Sequence, residues 1–249
     1  LLDGSPCIDA GNTNPALNDA CLPPGKATAR NDMGASGGPG NCCQVAPAGL
    51  IHRYSFDLDA RDSIGTAHGT LMNGATVNGG AVNLNGANQY VDLPGGLLNG
   101  LARVTFEFWS SFGINGNWAR VFDFGDRSGS VGKTYVFFSP HGGVNHTLAV
   151  RDASGTERRT EQSGVLDGLT NVHVACVYDP PTSTLILYLN GMADVWRTDA
   201  SSPLSDINNV YSWLGRSLYS GNAYLNGSLN EFRIYNFALS SGEVWQSYL

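Results

Sequence analysis

From residue 50 to the C-terminus the chain repeats one pattern, a short apolar or alternating run followed by a turn signal. Asn85-Gly86 separates the runs Ala81–Leu84 and Gln89–Leu93. Asn-Gly is a strong hairpin dipeptide because both residues tolerate the positive φ that a tight turn requires. Asp179-Pro180-Pro181-Thr182-Ser183 joins Val172–Tyr178 to Thr184–Leu189, and Asn190-Gly191 follows as another turn. The remaining runs are Ile51–Phe56, Val104–Phe112, Ala119–Phe124, Thr134–Ser139, Thr147–Arg151 and residues 229–235. No helices alternate with these runs, so the pattern predicts an all-β fold, a two-sheet antiparallel β-sandwich. Val104, Phe106 and Phe108 fall on one face of their strand and are expected between the sheets. Thr184–Leu189 is apolar on both faces, as a central strand would be.

One helix is predicted, over residues 241–248. Ser240 is its N-cap and Glu243 stands at N3, which makes a capping box. Leu239 before the cap and Val244 at N4 form a hydrophobic staple, and Val244 and Tyr248 are expected to dock the helix on the sandwich.

The charge balance narrows the partners. The net charge is −7 and only 14% of residues are charged. Phosphate contacts need a basic surface, so nucleic acid is not expected as a partner. No apolar run is long enough to span a bilayer, so no membrane insertion is expected.

Residues 1–46 differ from the rest, being rich in Pro, Gly, Asn and Asp with little apolar periodicity. They are read as an N-terminal arm, with the sandwich domain over residues 47–249. Cys7, Cys21, Cys42 and Cys43 lie in this arm, and Cys176 stands apart. No C-x-x-C pair at zinc spacing is present, so disulfides in an oxidising compartment are favoured over free thiols or a metal knuckle. The simplest connectivity joins Cys21 to one of Cys42 and Cys43 and Cys7 to the other. Cys176 alternates with Val172, Val174 and Tyr178 and is expected to be buried as a small apolar residue. The start, Leu1-Leu2-Asp3-Gly4, is neither an initiator Met nor a basic leader, and the chain reads as an excised piece of something longer.

Several segments resemble, in order, those of laminin-G-like jelly-roll domains of the concanavalin A-like lectin/glucanase superfamily. They are Arg53-Tyr54-Ser55-Phe56-Asp57 with Asp62-Ser63 and Gly69-Thr70-Leu71, then Gln89-Tyr90-Val91-Asp92-Leu93-Pro94 and Val104-Thr105-Phe106-Glu107-Phe108-Trp109. Asn117-Trp118-Ala119-Arg120-Val121-Phe122-Asp123-Phe124-Gly125 and Leu187-Tyr188-Leu189-Asn190-Gly191 follow. Ser212-Trp213-Leu214-Gly215-Arg216-Ser217 with the strand from Tyr224 to Tyr235 closes the series. The resemblance covers residues 50–249. It implies a non-catalytic binding module of a larger secreted or surface bacterial protein, with a polysaccharide or glycan as the expected ligand and an extracellular location. A structural or adhesion spacer that binds no sugar is the alternative, and a glycoside hydrolase or lyase is less favoured. Ser5-Pro6-Cys7-Ile8-Asp9-Ala10-Gly11 and Arg30-Asn31-Asp32-Met33-Gly34-Ala35 resemble the final coil of bacterial parallel β-helix proteins. That implies an upstream β-helix domain in the same parent chain, although Ser36 stands where an aromatic is usual.

Three constellations could carry chemistry. Asp57, Asp59 and Asp62 form an oxygen-rich loop. The family resemblance implies a structural Ca²⁺ held by Asp57, Asp62 and Glu231, and the residues alone leave a solvated acidic loop equally open. Trp118, Trp196, Trp213, Tyr219 and Tyr224, with Arg120 and Arg216, are candidate ligand contacts. Aromatic faces stack on sugar rings, and guanidinium forks reach hydroxyls. The competing reading packs Trp118 and Trp213 on the core and pairs the arginines with Asp123 or Asp126. The polar surroundings of Trp196 and Tyr219 favour exposure. For catalysis, Glu107 lacks the second carboxylate two or four residues on that the superfamily's glucanases carry, so no catalytic residue is expected.

Overall fold

The computed structural model describes residues 49–249. In chain order its strands are β1 (Leu50–Tyr54), β2 (Thr70–Met72), β3 (Thr76–Val77), β4 (Val82–Asn85), β5 (Tyr90–Leu93), β6 (Val104–Phe112), β7 (Phe122–Ser128), β8 (Val131–Gly142), β9 (Asn145–Arg151), β10 (Glu157–Ser163), β11 (Val172–Asp179), β12 (Thr184–Leu189), β13 (Met192–Arg197), β14 (Tyr211–Leu214) and β15 (Asn226–Tyr235), and the helix α1 spans Ser241–Tyr248. Among the described residues they form an eight-stranded sheet in the order β13-β12-β11-β6-β15-β4-β3, with β1 also on β15, and a seven-stranded sheet in the order β10-β9-β8-β7-β14-β5-β2. The pairings are antiparallel throughout, as for β6 with β15 and β7 with β8. This is the sandwich that the turn-and-strand rhythm predicts.

The core explains why the sheets stack. Phe106 and Phe108 of β6, Phe122 and Phe124 of β7, Phe138 of β8 and Phe232 of β15 are all fully buried between the layers. Phe106 and Phe122 reach across the sandwich with ring centroids 4.3 Å apart. Alternate residues on a strand point to opposite faces, so one apolar residue in two from each sheet fills this layer. Each buried Phe contributes on the order of 2–3 kcal/mol of transfer free energy. Val174, Cys176 and Tyr178 lie in the same layer, and Cys176 is a buried free thiol. Burial pushes that thiol well above its ordinary pKa, which suits a packing residue rather than a nucleophile.

The helix follows its sequence signals. Ser240 accepts a hydrogen bond from the Glu243 backbone N–H, and the Glu243 carboxylate accepts from the Ser240 N–H. Leu239 and Val244 are both buried. Tyr248 remains partly exposed but lies beside His173, with ring centroids 5.6 Å apart. The helix therefore covers the outer face of the eight-stranded sheet.

Two expectations need correction. The run Ala119–Phe124 is not one strand, because β7 begins only at Phe122. Trp118 takes a left-handed backbone, φ 62°, and Ala119 makes only an isolated bridge to His141. β2, β3, β13 and β14 carry too little apolar alternation to stand out in the sequence. Asn85-Gly86 closes no hairpin, because β4 lies in the eight-stranded sheet and β5 in the seven-stranded one, so the turn carries the chain from one layer to the other. The arm over residues 1–46, its cysteines Cys7, Cys21, Cys42 and Cys43 and its β-helix resemblance lie outside the described residues.

Candidate functional site

The outer face of the seven-stranded sheet carries a second apolar layer. Tyr90 of β5, Trp213 of β14, Tyr135 and Phe137 of β8 and Ala149 of β9 are buried there, with Leu218 from the loop after β14. Met72, Trp118, Tyr211, Tyr219 and Tyr224 pack against them while staying partly exposed. On β8 this layer alternates with Val136 and Phe138, which face the main core. Both faces of the strand are therefore apolar, the signature of a sheet whose outer side is also covered.

The cover is the loop over residues 215–225, and the sequence holds it down at identifiable points. Gly215 has φ 85°, and a Cβ there would meet the Leu84 side chain at 2.4 Å, so only glycine lets the chain cross at this place. The Gly215 N–H donates to Val121 O at 2.9 Å, and the Leu225 N–H donates to Gly215 O at 3.0 Å, closing the loop. Asp123 of β7 is buried under it and accepts from the Leu218 N–H at 2.9 Å and from Ser217 Oγ at 3.3 Å. Burial pushes the Asp123 carboxyl up to about 6, because the nearby Arg120 charge and these hydrogen bonds offset desolvation only in part.

Apart from Trp196, the expected ligand contacts gather on this face. Arg120 is buried with its guanidinium 3.5 Å from the Phe137 ring centroid and 5.4 Å from that of Trp118. Its Nη1 donates to Trp118 O at 2.9 Å, and its Nε lies 3.5 Å from Asp123 Oδ2. Arg120 thus locks the layer from below and does not reach solvent. Trp213 is only 4% exposed, donating from Nε1 to Asp92 Oδ1 at 3.0 Å. It too is a packing residue, held between Tyr211 and Arg216. Burial beneath the covering loop therefore takes both out of direct ligand contact, Trp213 on β14 and Arg120 in the segment that leads into β7. Arg216, Tyr219, Tyr224 and part of Trp118 remain accessible. Trp196 stands elsewhere, 62% exposed on β13 at the edge of the other sheet.

The structure adds residues the sequence did not single out. Tyr211 and Arg127 border Trp213, the latter with its guanidinium 5.9 Å from the ring. Arg151 Nη1 lies 3.4 Å from the Tyr219 hydroxyl, which lies 3.3 Å from that of Tyr135. Tyr135 also donates to Glu157. The result is a surface of tyrosine rings edged by Arg127, Arg151 and Arg216 on a buried aromatic base. The signal that could have found Tyr211 and Tyr135 is their alternation with core residues on strands flanked by turns.

The acidic loop has a different organisation. Asp62 Oδ1 accepts from the N–H groups of Arg53, Ile64 and Gly65 at 3.0–3.1 Å. Its Oδ2 takes His52 Nδ1 at 2.6 Å and the Ala67 N–H at 3.3 Å. Burial raises the Asp62 pKa, and these hydrogen bonds outweigh it, leaving the carboxyl below its ordinary range. Glu231 is held by Arg53 Nε at 3.0 Å and by Arg233 Nε at 3.1 Å. Asp57 is exposed. Among the described residues no group of three or more His, Cys, Asp and Glu side chains is placed to hold a metal. Asp62 and Glu231 spend their lone pairs on backbone donors and arginines, so the set does not fit a Ca²⁺ ion as arranged.

Glu107 is likewise committed. It is fully buried beneath α1, bonded by His173 Nε2 at 3.0 Å, the Tyr235 hydroxyl at 2.7 Å and Arg233 Nη1 at 3.3 Å. Burial raises its pKa, but these donors and the Arg233 charge prevail and hold the carboxyl below its usual range.

The family model described as concanavalin A-like lectin/glucanases superfamily, of the laminin G type, matches residues 85–245. A sequence search of curated proteins finds no significant match. Among solved structures, the chain is similar to domain 4 of AbnA, an extracellular arabinanase of Geobacillus stearothermophilus in complex with arabinotriose. The TM-score is 0.65 and the identity 22%, over 80% of this chain and 98% of that one. It is similar to the CBM40 of the Ruminococcus gnavus IT-sialidase bound to α2,3-sialyllactose, with TM-score 0.56 and 16% identity over 68% of this chain and 95% of that one. The binding domain of botulinum neurotoxin serotype D is also similar, with TM-score 0.62 and 12% identity over 80% of this chain and 51% of that one. At these identities the likeness establishes the fold. None of these matches supports a β-helix in the arm. Among the described residues no helix is long and apolar enough to cross a membrane.

Proposed function

Because the chain belongs to the concanavalin A-like lectin/glucanases superfamily, we propose that it is a non-catalytic carbohydrate-binding module acting outside the cell. The observation that carries this reading is the surface of Tyr211, Tyr219 and Tyr224 edged by Arg127, Arg151 and Arg216 on the seven-stranded sheet. Tyrosine rings offer flat apolar faces to the C–H side of a sugar ring, and the arginines offer several N–H donors in a planar fork to its hydroxyls. The buried base of Tyr90, Trp213 and Tyr135 fixes these groups before a ligand arrives, which lowers the ordering cost of binding. The neighbours with arabinotriose and sialyllactose bound support a saccharide as the ligand. The internal bonding of Glu107 supports a role without bond cleavage.

A glycan array tests the reading, with arabino- and sialyl-oligosaccharides among the probes. Binding to at least one glycan class, abolished in Tyr219→Ala and Tyr224→Ala but kept in Trp196→Ala, is the expected result. The second reading, a spacer without sugar affinity, is favoured by the burial of Trp213 and Arg120. A blank array together with an intact fold would establish it instead.

A further inference from the structure

A groove of about 420 Å³ opens at the end of the eight-stranded sheet, where β4, β6 and β15 run into their loops. This lies within the roughly 300–1,000 Å³ typical of small-molecule sites. Its wall contains Asn83, Asn85, Gln89, Ser111, Asn226 and Ser228, and no ionisable side chain. In a chain of net charge −7, that is a distinct chemical surface. Leu84 and Phe112, which border it along the backbone, turn their side chains into the main core, so the groove is lined by polar side chains and backbone.

The amides are held at one end only. Asn85 Oδ1 accepts from the N–H groups of Ala87, Asn88 and Gln89. Gln89 Nε2 donates to Gly74 O at 2.6 Å, Asn226 Nδ2 to Ile114 O at 3.2 Å and Asn83 Nδ2 to Ala81 O at 3.3 Å. Among the described residues, the other end of each amide and Ser228 Oγ have no hydrogen-bond partner. The groove thus presents donors on Asn85 Nδ2 and the Ser228 hydroxyl, and acceptors on Gln89, Asn226 and Asn83. Backbone approach around Asn226 is close. A Cβ at Gly86 would lie 2.8 Å from Asn226 Cβ, and one at Gly113 would lie 2.6 Å from its Nδ2. The Asn226 N–H is further tied to Asn115 Oδ1 at 2.8 Å.

We propose that this groove is a second saccharide site, separate from the tyrosine face, which takes an uncharged sugar unit by hydrogen bonding alone. A hydroxyl both donates and accepts, so it matches a mixed set of amide donors and acceptors. A carboxylate only accepts, and it would have to leave water for a wall with no cation to meet it. The site rests on its own residues and does not depend on the tyrosine face.

Backbone amide NMR titration tests it, with xylotriose and arabinotriose as neutral probes and trigalacturonate as the charged one. At millimolar neutral sugar, shifts are expected at Asn85, Gly113 and Gly227. They should persist in a Tyr219→Ala/Tyr224→Ala double variant and weaken about tenfold in Asn83→Leu. Ser228→Ala is the milder companion should Asn83→Leu perturb the fold, which the same spectrum reads. Trigalacturonate should leave these amides unmoved. No shift in the groove with either neutral probe, or equal shifts with trigalacturonate, would overturn the proposal. Shifts confined to Tyr211, Tyr219 and Tyr224 would overturn the groove and leave the tyrosine face standing.

Discussion

The Arg216 guanidinium sits 4.0 Å from the centroid of the Trp213 ring, closing over an indole already backed by Tyr211 and Tyr90. Arg216 is therefore both the lid of a buried aromatic and part of the accessible surface. Trp213→Ala is expected to destabilise the fold by about 3–5 kcal/mol, since it leaves a large cavity under the loop. Arg216→Ala should cost only about 0.5–1 kcal/mol, the worth of a partly exposed cation–π contact. Urea denaturation of both variants checks the ranking.

Asp123 gives the fold an unusual pH term. Its carboxyl is raised to about 6 in the folded chain, against about 3.9 when unfolded. The folded state then holds the proton more tightly, so this group's contribution is full below about pH 4 and is lost as pH rises through 6. Asp123→Asn should remove that slope. Between pH 4 and 6.5 the parent is expected to lose up to roughly 3 kcal/mol relative to the variant. Parallel slopes in chemical denaturation across that window would show that Asp123 does not titrate there.

Glu107 and Asp62 act in the opposite direction, both lying below the ordinary carboxylate range. Their contribution is present above the unfolded pKa and is lost as pH falls through the folded one. Glu107→Ala leaves the buried His173 and Tyr235 without their acceptor and should cost about 3–5 kcal/mol. Hydrogen exchange in α1 should rise with it, because Arg233 ties Glu107 to Ser247 of that helix.

Asp62→Ala should destabilise the fold by about 2–4 kcal/mol, because the backbone N–H donors of Arg53, Ile64, Gly65 and Ala67 lose their acceptor. Melting curves with calcium and with chelator are expected to superimpose for the parent chain. A calcium-dependent rise in Tm that Asp62→Ala abolishes would contradict the hydrogen-bonded organisation of this loop.

The sequence announces the strands whose apolar runs are long and bounded by turns, and the ends that carry specific turn or cap chemistry. Val104–Phe112 and Thr184–Leu189 have the expected bounds, and the capped helix starts where Ser240 and Glu243 place it. Strand β14 is hidden because its four residues, with Tyr211 and Trp213 on one face and Ser212 and Leu214 on the other, are too few for an alternation to stand out. The site was half legible for a related reason. Composition shows that Trp213 and Arg120 are ring and fork, but only the fold shows that the loop over residues 215–225 closes above them. Trp196 illustrates the converse, since local polarity correctly marks it as exposed yet cannot reveal that it lies on the other sheet.

Affinity electrophoresis through gels containing arabinan, xylan or sialylated glycoprotein tests the tyrosine face most directly. Retardation by at least one polymer is expected for the parent chain and for Trp196→Ala, and its loss is expected when Tyr219 and Tyr224 are both replaced by alanine. Equal retardation of the double variant and the parent would show that the saccharide is held somewhere else.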